Sequence, residues 1–491
     1  MNPNHKTQKM EYEKVKNKTI KTIARAGGGK STYLRDISQT YEKQGMDTQI
    51  ISFTKSGAGR QGATLHSVLS KILHSGRYTN CLGIKKYGKI RNIMDTDQYN
   101  QFCLQYSDIS PNDVGYEERK KDYIYIRHGM MPSAIHVWNW IRSVYHIRVY
   151  QHEGKIEKNV NQDTLYQAYQ DYVMRFGTPE YNNLFLKSGT AKTLDGQIVQ
   201  VNRVRKKMTP VQMRYPMFFH CIREYEKWKR VMNYDDYTDI LMYPLVREGT
   251  SICPYVSVLL IDEAQDCAPI HWEVIWKFAS TTNLIRKLYL VGDDSQCLYN
   301  FTGAQPYDFQ RFPCSNDTNS QSVILPHIYR YGSEIWKNAY KFLEKTNTPY
   351  DSSHVQPVGN TGQVLDVYGE KGMIDILKTI PLEKRDNSVI ITATNVQKKD
   401  IHEKIDHEIY QLDPVSLYDD YRFPVKTYHA AKGSTYRNAL TVFSAPKKWI
   451  ERSRDYTEFA RMLYVGVTRA QNVQINAHNV FPRQIDMDTI I

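Results

Sequence analysis

The chain has 491 residues, of which 41% are hydrophobic and 24% are charged. This length corresponds to roughly three or four domains of ordinary size, and the composition excludes a wholly disordered chain. Lys and Arg outnumber Asp and Glu by 65 to 52, and the resulting net charge of +13 suits a polyanionic partner such as a nucleic acid.

The cysteines and the apolar runs exclude several classes of protein. The seven cysteines form no Cys-x-x-Cys pair, which disfavours zinc ribbons, iron–sulfur clusters and a disulfide-stapled scaffold. The most apolar run, residues 256–261, is strand-sized and much shorter than the ~20 residues of a membrane helix. The N-terminal residues are polar and lack the apolar core of a secretory signal. We therefore expect a protein that is not secreted, has no membrane partner and works in the cytoplasm, or in the nucleus or host-cell interior if its source is viral.

Short β-branched runs recur along the chain, and a helical pattern follows each of them. They lie at residues 19–26, 48–54, 256–261, 287–291, 388–392 and 439–443. Strands that alternate with helices predict parallel α/β sheets, in which ligands collect at the carboxyl ends of the strands. The stretch over 76–205 differs from this pattern and is predicted to be a mostly helical insertion in the first sheet domain.

This predicted insertion is rich in basic residues and tyrosines. Basic clusters occur at 85–91, 119–121 and 203–207, with tyrosines between them. Such a mixture suits a groove that binds phosphates and stacks bases. A solvated basic face above a small tyrosine-rich core is the simpler alternative.

The first predicted strand ends in a glycine-rich loop with the sequence ARAGGGKS, residues 24–31. Consecutive glycines let backbone N–H groups converge on phosphate oxygens, and the N-terminus of the following helix adds positive potential. In such a loop Lys30 would reach the β- and γ-phosphates and the Ser31 hydroxyl would hold Mg²⁺. Ala24 stands where the strict P-loop pattern has its first glycine.

Two later strands also end in polar residues. The run VLLIDEAQD, residues 258–266, delivers the adjacent carboxylates of Asp262 and Glu263 at the end of a hydrophobic strand. In that place Asp262 would take Mg²⁺, and Glu263 would orient and deprotonate an attacking water. The run LVGDDSQ, residues 290–296, offers Gln296 to a γ-phosphate or to the same water. Three such elements in one chain predict an NTPase.

Two arginines late in the chain, Arg330 and Arg469, are candidates for completing the site from a second domain. An arginine brought to a γ-phosphate stabilises the charge of the transition state and typically raises the rate by about 10³–10⁵. It also makes closure of the cleft depend on the bound nucleotide. For either arginine alone, a surface or ion-pair role is the simpler interpretation.

Taken together and in this order, these segments resemble the motifs of the UvrD/Rep-type superfamily 1 helicases. The matching segments are 24–31, 51–55, 63–67, 234–242, 262–266, 292–304, 325–330, 425–433 and 461–471. The resemblance implies an α/β fold of two RecA-like parallel-sheet domains, with a mostly helical insertion in the first and ATP bound between them. The implied domains are 1A over 1–75 and 206–312, the inserted accessory domain 1B over 76–205, and 2A over 313–491. Between Arg330 and Thr427 the chain is only long enough for the second sheet domain, so the family's 2B-type insertion is expected to be absent.

The resemblance also implies roles for individual residues. The implied catalytic residues are Lys30, Asp262, Glu263, Gln296, Arg330 and Arg469, with Ser31 and Asp262 as the metal ligands. The implied ATP-binding residues are Ala24, Ala26, Gly27, Gly28, Gly29, Lys30, Ser31, Thr32, Tyr329 and Gly433. The implied nucleic-acid-binding residues are Phe53, Thr54, Lys55, Thr64, His66, Phe301, Thr427 and His429.

The function implied by the resemblance is an ATP- and Mg²⁺-dependent translocase or helicase. It would move 3′→5′ on single-stranded DNA, act at duplex junctions and be monomeric, and the sequence names no protein partner. Three alternatives stay open: a motor that remodels protein–DNA complexes or drives a nuclease without strong unwinding, a nucleotide-switched binding module, and an RNA helicase.

Overall fold

The computed structural model describes most of the chain and divides it into two compact units. The first unit comprises Met1–Lys85 with Arg247–Ile491, and the second comprises Lys86–Val246. The described residues are 3–53, 63–75, 79–80, 92–93, 97–99, 102, 123–128, 130–145, 151–152, 155–156, 162–192, 198–246, 250–251, 256–281, 284–315, 324–410, 422–452 and 456–489. Within these ranges, no helix has the length and apolar character needed to cross a membrane.

The strands are short except for two in the second unit. In chain order they are β1 (Thr19–Ile23), β2 (Thr48–Ser52), β3 (Ala63–Thr64), β4 (Thr79–Asn80), β5 (Asn92–Ile93), β6 (Tyr123–His128), β7 (Gln151–His152), β8 (Lys155–Ile156), β9 (Glu180–Lys192), β10 (Ile198–Gln212), β11 (Tyr234–Asp235), β12 (Thr250–Ser251), β13 (Val258–Asp262), β14 (Lys287–Gly292), β15 (His327–Ile328), β16 (Gln356–Pro357), β17 (Gln363–Tyr368), β18 (Ser388–Thr392), β19 (Val425–Thr427), β20 (Tyr436–Val442), β21 (Ser444–Ala445), β22 (Ala470–His478) and β23 (Ile485–Asp486).

Helices follow most of the strands that enter the two larger sheets. The α-helices are α1 (Pro3–Lys18), α2 (Lys30–Lys43), α3 (Leu65–Ser75), α4 (Met130–Tyr145), α5 (Gln162–Phe176), α6 (Tyr215–Met232), α7 (Tyr237–Val246), α8 (Pro269–Thr281), α9 (Pro306–Arg311), α10 (Ser333–Leu343), α11 (Gly369–Lys378), α12 (Asn395–Ile405), α13 (Tyr428–Ala431), α14 (Lys447–Arg452) and α15 (Thr457–Val467).

The first sheet of the larger unit is parallel and has the strand order β1-β14-β13-β2-β3. Strand β13 is buried along its whole length, as its continuous apolar sequence requires in a sheet with both faces covered. Ile23 pairs with Gly292, and Asp262 pairs with Ser52. The glycine loop, the acidic pair and the 293–296 segment therefore all begin at one edge of this sheet.

The second sheet of the same unit is also parallel, with the order β17-β22-β20-β18-β19. Its core holds apolar residues of β18, β20 and β22 under helices α11 and α12. Two parallel sheets with helices between their strands confirm the predicted α/β fold with two RecA-like domains.

The second unit is built around a helical core that α4, α5 and α6 share. A three-stranded antiparallel sheet, β10-β9-β6, stands beside these helices and has no counterpart in the sequence-based prediction. Four residues of α6 (Phe218, Cys221, Ile222 and Tyr225) are buried in the shared core, so the unit extends past the expected end at 205 to Val246. The division into 1A, 1B and 2A stays a prediction.

A buried ion cluster fixes the arrangement of α4, α6 and α7. Arg142 Nη2 lies 2.6 Å from Asp236 Oδ2, and Lys229 Nζ lies 2.7 Å from Asp239 Oδ2 and 3.0 Å from Glu226 Oε1. Burial and the neighbouring Asp236 raise the pKa of Asp239 to about 7. The cluster holds three carboxylates and two cations, so each cation compensates more than one buried acid.

Lys229→Ala is expected to lower the free energy of unfolding by about 3–5 kcal/mol, because Arg142 alone then has to compensate the three carboxylates of this cluster. Urea denaturation of the purified chain measures the change. Arg223→Ala on the same helix is the control: this side chain is 55% exposed and 3.8 Å from Glu224, so its loss is expected to stay within ~0.5 kcal/mol. An equal decrease in the free energy of unfolding in the two variants would show that the buried ion cluster adds no more stability than an exposed ion pair.

Candidate functional site

The glycine loop between β1 and α2 has a backbone that other residues adopt only under strain. Gly27 and Gly29 have φ angles of 81° and 79°, and Gly29 caps the N-terminus of α2. A Cβ atom on Gly28 would lie 2.9 Å from the carbonyl oxygen of Arg25, which accepts a hydrogen bond from the Gly28 N–H. The loop is therefore a tight cradle of backbone at a helix N-terminus, which is the geometry that binds phosphate.

The same loop contacts the segment that leads into the second sheet domain. A Cβ atom on Gly27 would lie 2.6 Å from the Cβ of Arg330, and the Gly27 carbonyl accepts a hydrogen bond of 3.0 Å from the Tyr329 N–H. The exposed Tyr329 ring lies 3.5 Å from the Cβ position of Gly29. Arg330 and Tyr329 thus lie against the loop, as the sequence-based interpretation requires.

Lys30, Ser31, Asp262 and Glu263 form one polar cluster at the edge of the first sheet. Ser31 Oγ donates a hydrogen bond of 3.2 Å to Asp262 Oδ2, and Lys30 Nζ lies 3.6 Å from Glu263 Oε1. Glu263 adopts a left-handed φ of 51°, which is uncommon for a residue with a side chain. A hydroxyl and a carboxylate oxygen are ligands that Mg²⁺ prefers, so Ser31 and Asp262 fit the expected metal.

The two adjacent carboxylates differ in their protonation. Burial and the neighbouring Glu263 raise the pKa of Asp262 to about 7. Burial also disfavours the ionised form of Glu263, but Lys30 and Lys432 outweigh it and lower its pKa to about 2. Glu263 therefore stays ionised at neutral pH and can accept a proton, whereas a bound cation would hold Asp262 in its ionised form.

Arg330 and Arg469 both face this cluster. Arg330 Nη1 donates to the Thr468 carbonyl at 3.0 Å, and Arg469 Nη2 donates to Gln296 Oε1 at 3.0 Å. Burial and the nearby Arg330 lower the pKa of Arg469 to about 9, and desolvation lowers the pKa of Arg330, while Glu263 opposes both shifts. Two guanidinium groups that repel each other beside a phosphate cradle form a site that favours a polyanion.

Gln296 is held by contacts on both sides of its amide. Its Nε2 donates to Asp293 Oδ2 at 2.9 Å, and its Oε1 accepts from Arg469. Asp293 Oδ2 also accepts from the Tyr464 hydroxyl at 3.2 Å, and that hydroxyl accepts from the Ala26 N–H at 3.2 Å. A short chain of hydrogen bonds thus links the glycine loop, Gln296 and the helix that precedes Arg469.

Arg25 is a component of the site that sequence analysis did not single out. Its side chain is fully buried, and Nη1 lies 2.7 Å from Asp293 Oδ1 and 3.0 Å from Asp294 Oδ1. Nη2 donates to the Tyr350 carbonyl at 3.0 Å, and Nε donates to Ser352 Oγ at 2.8 Å. A charged residue just after a buried strand indicates that a residue of opposite charge lies nearby in the fold. The sequence does not say which residue that is.

Lys432 is a second component that was not predicted. Its Nζ lies 2.6 Å from Asp266 Oδ1 and donates to the Gln296 carbonyl at 2.5 Å. Burial raises the pKa of Asp266 to about 6, although Lys432 opposes the shift. Gly433, an expected nucleotide-binding residue, follows Lys432 with a φ of 81°, two residues after the short helix α13 ends at Ala431.

The other expected nucleotide-binding residues, Ala24, Ala26 and Thr32, lie around the glycine loop. Ala24 and Ala26 are buried, and Ala24 belongs to the core beneath α2. Thr32 is exposed on α2, where its Oγ1 accepts a hydrogen bond of 3.2 Å from Arg35. Of these three side chains, Thr32 is therefore the one that reaches solvent.

The expected nucleic-acid-binding residues fall into two aromatic groups. Phe53 and His66 both contact His271, with ring centroids 4.7 and 5.9 Å apart. Phe301, which is 39% exposed, contacts His429 at 5.4 Å. An exposed aromatic ring held by a neighbouring ring is able to stack on a base.

Three members of this set, Thr64, Thr427 and His429, are held in place by hydrogen bonds of their side chains. Thr64 Oγ1 accepts from the Ser67 N–H, and Thr427 Oγ1 accepts from the Ala430 N–H, so both hydroxyls cap helix starts. His429 donates through Nε2 to the Leu298 carbonyl at 2.9 Å, which fixes its ring beside Phe301. Thr54 and Lys55 lie outside the described residues.

Comparison with known proteins shows what the chain is similar to. The UvrD/REP helicase N-terminal domain family matches residues 5–316. The ATP-dependent DNA helicase Rep of Buchnera aphidicola is 23% identical over 38% of this chain and 28% of its own length. DNA helicase II of Haemophilus influenzae is 25% identical over 34% of this chain and 23% of its own length. The matched part is thus below a third of either relative.

Arg25→Ala is expected to lower the free energy of unfolding by about 3–5 kcal/mol, since it leaves the buried Asp293 and Asp294 without their cation. Differential scanning calorimetry measures the loss. Lys337→Ala removes a side chain that is 70% exposed and paired with Glu334, and it serves as the control with little expected change. A melting temperature of Arg25→Ala equal to that of the control would contradict the assignment.

Proposed function

Because the chain belongs to the UvrD/Rep helicase family, we propose that it hydrolyses ATP between its two RecA-like domains to move 3′→5′ along single-stranded DNA and to separate duplex DNA at junctions. One observation carries the proposal. Glu263, which lies 3.6 Å from Lys30 at the edge of the first sheet, is within electrostatic range of Arg330 and Arg469 from the second sheet domain. A site of this composition matches the charge of a nucleoside triphosphate.

In the proposed reaction the phosphates of ATP lie on the glycine loop, with Lys30 at the β- and γ-phosphates. Ser31 and Asp262 would hold Mg²⁺, which would supply positive charge to the phosphate oxygens. Glu263 accepts a proton from water as the water oxygen bonds to the γ-phosphorus and the bond to the β-phosphate oxygen breaks. Gln296 orients the water, and the two arginines stabilise charge on the departing and transferred groups.

Coupling to DNA follows from the same charges. A bound triphosphate relieves the repulsion between Arg330 and Arg469 and so favours the arrangement in which both face the glycine loop. Hydrolysis and phosphate release remove the negative charge that offsets the repulsion between the two arginines. Stacking of bases on Phe53 and Phe301, at roughly 1–3 kcal/mol per base, lets the first sheet domain hold the strand without regard to sequence, and the second domain contributes His429 beside Phe301. Alternate release and grip then move the protein along the strand.

The second candidate function is remodelling of protein–DNA complexes, or driving of a nuclease, without strong unwinding. The described residues between Arg330 and Thr427 form strands and helices beside or within the second sheet, including β17, α11, β18 and α12, and they add no further compact unit. A motor without a further inserted domain has less surface with which to hold a duplex. This supports translocation more directly than it supports strand separation.

Glu263→Gln is expected to reduce ATP hydrolysis by about 100-fold or more while nucleotide binding persists, because the amide keeps the shape of the carboxylate but cannot take the proton. Phosphate release is measured with single-stranded DNA, with RNA and with neither, and binding of a fluorescent ATP analogue is measured in parallel. Glu334→Gln, at an exposed acid, is the control. Hydrolysis that survives in Glu263→Gln would reject the assigned base, and stimulation by RNA alone would favour an RNA motor.

The two candidate functions predict different outcomes for two substrates. A helicase releases the annealed strand of a 3′-tailed duplex, and a translocase displaces streptavidin from a biotinylated single strand. We expect ATP-dependent streptavidin displacement in both cases and strand release only for a helicase. Displacement from the 3′ end rather than the 5′ end would contradict the proposed polarity, and no displacement at all would leave a nucleotide-switched binding module.

A further inference from the structure

A group of metal-ligating side chains lies at the carboxyl end of β22, apart from the residues assigned to ATP. His478 is the last residue of β22. The chain then turns, and β23 and the 3₁₀ turn Met487–Thr489 bring Asp486 and Asp488 back to the same imidazole. One nitrogen and two carboxylate oxygens from these three residues all lie within 4.8 Å of one another.

We propose that His478, Asp486 and Asp488 bind one divalent transition-metal ion of the Zn²⁺ type, which fastens the segment after β22 to the second sheet.

The distances suit such an ion. His478 Nδ1 lies 3.3 Å from Asp488 Oδ2 and 3.6 Å from Asp486 Oδ2. Ligand atoms about 2.1 Å from a tetrahedral Zn²⁺ are about 3.4 Å apart. An ion between the three atoms therefore requires small adjustments of side chains and no change of the backbone path, and water would complete its coordination.

The outer contacts of the histidine also match a metal ligand. Its second ring nitrogen, Nε2, lies 3.3 Å from Asp366 Oδ1 on the neighbouring strand β17. A histidine that binds a metal through one nitrogen usually donates its other N–H to a carboxylate or carbonyl, which fixes the tautomer and the ring. The ring is further held by Tyr368 and Phe443, whose centroids lie 5.1 and 4.7 Å away.

The two carboxylates are held in position in different ways. Asp486 Oδ1 accepts a hydrogen bond from Ser444 Oγ at 3.0 Å, and the Asn479 N–H lies 2.9 Å from both carboxylate oxygens, of which Oδ2 is 3.6 Å from His478 Nδ1. Asp488 Oδ1 is buried and has no hydrogen-bond partner, although a buried carboxylate oxygen ordinarily has one. With Asp366, three carboxylates surround one imidazole, so a divalent cation improves the charge balance.

The donor set selects the class of metal. Imidazole nitrogen with carboxylate oxygens suits Zn²⁺ and other first-row transition metals, whereas Mg²⁺ and Ca²⁺ take sets made of oxygen alone. The competing interpretation has no metal: a protonated His478 forms ion pairs with the aspartates. The two interpretations differ in one measurable respect, which is stoichiometric binding of a metal.

The test uses the full chain without an affinity tag, stripped of metal with EDTA and free of nucleotide. Zn²⁺ is titrated by calorimetry, and Co²⁺ by its visible absorption, whose intensity reports tetrahedral coordination. We expect one equivalent to bind to the wild type and this equivalent to be lost in His478→Ala and in the near-isosteric Asp488→Asn. Asp366→Asn, which alters the outer contact to His478 Nε2 and the carboxylate that accepts from Asn476 Nδ2, is expected to weaken binding about 10–100-fold.

Two control variants and a second readout separate this site from other sources of binding. His407→Ala removes an exposed histidine 3.5 Å from Glu408 and is expected to retain the equivalent. Asp262→Asn removes the expected Mg²⁺ ligand and is also expected to retain it, so the result does not depend on the ATP site. Thermal unfolding with and without Zn²⁺ is the second readout: the melting temperature is expected to rise in the wild type and not in Asp488→Asn. No stoichiometric binding, or binding that survives His478→Ala, would overturn the proposal and leave an ion-paired histidine.

Discussion

The ion pair between Arg25 and Asp293 connects the parts of the larger unit that must act together. It joins the end of β1 to the end of β14, and the other donors of Arg25 reach Tyr350 and Ser352 next to the second sheet. Because both charged groups are buried, neither is stable without the other. The position of Gln296, which donates to the other oxygen of Asp293, therefore depends on a residue of the glycine loop region.

The proposed nucleotide site differs from this buried ion pair, because the charges in the site are only partly compensated. Arg330 and Arg469 repel each other while Glu263 attracts both, and burial reduces the screening by water. Such a site is less stable without an anion than with one. In the proposed function, a bound triphosphate would be attracted by Lys30 of the first sheet domain and by Arg330 and Arg469 of the second, so its binding would couple the two domains. The interactions that stabilise the fold of each sheet domain are thus distinct from those that set how the two domains are arranged.

Local sequence patterns were sufficient to predict the parallel sheets. Strands such as β13 can be identified from a continuous apolar run that is followed by polar residues at the carboxyl end. They were also sufficient for the cluster of Lys30, Ser31, Asp262 and Glu263, since each lies at a strand end. They were insufficient for the partners of Arg25 and Lys432, which lie far away in sequence. The antiparallel sheet of the second unit was not predicted for a related reason, because pairing between strands decides it.

The close approach of Gly27 to Arg330 leaves no room for a side chain between the glycine loop and the segment that leads into the second sheet domain. No side-chain volume stands between the two backbones here, and even a methyl group would meet the Arg330 Cβ at 2.6 Å. The distance between the glycine loop and Arg330 is thus set by the Gly27 backbone and the Arg330 Cβ, and it does not depend on the rotamer of a larger side chain at position 27. In the proposed motor, the closest approach of the two sheet domains at this point would then be limited by steric exclusion as well as favoured by electrostatic attraction.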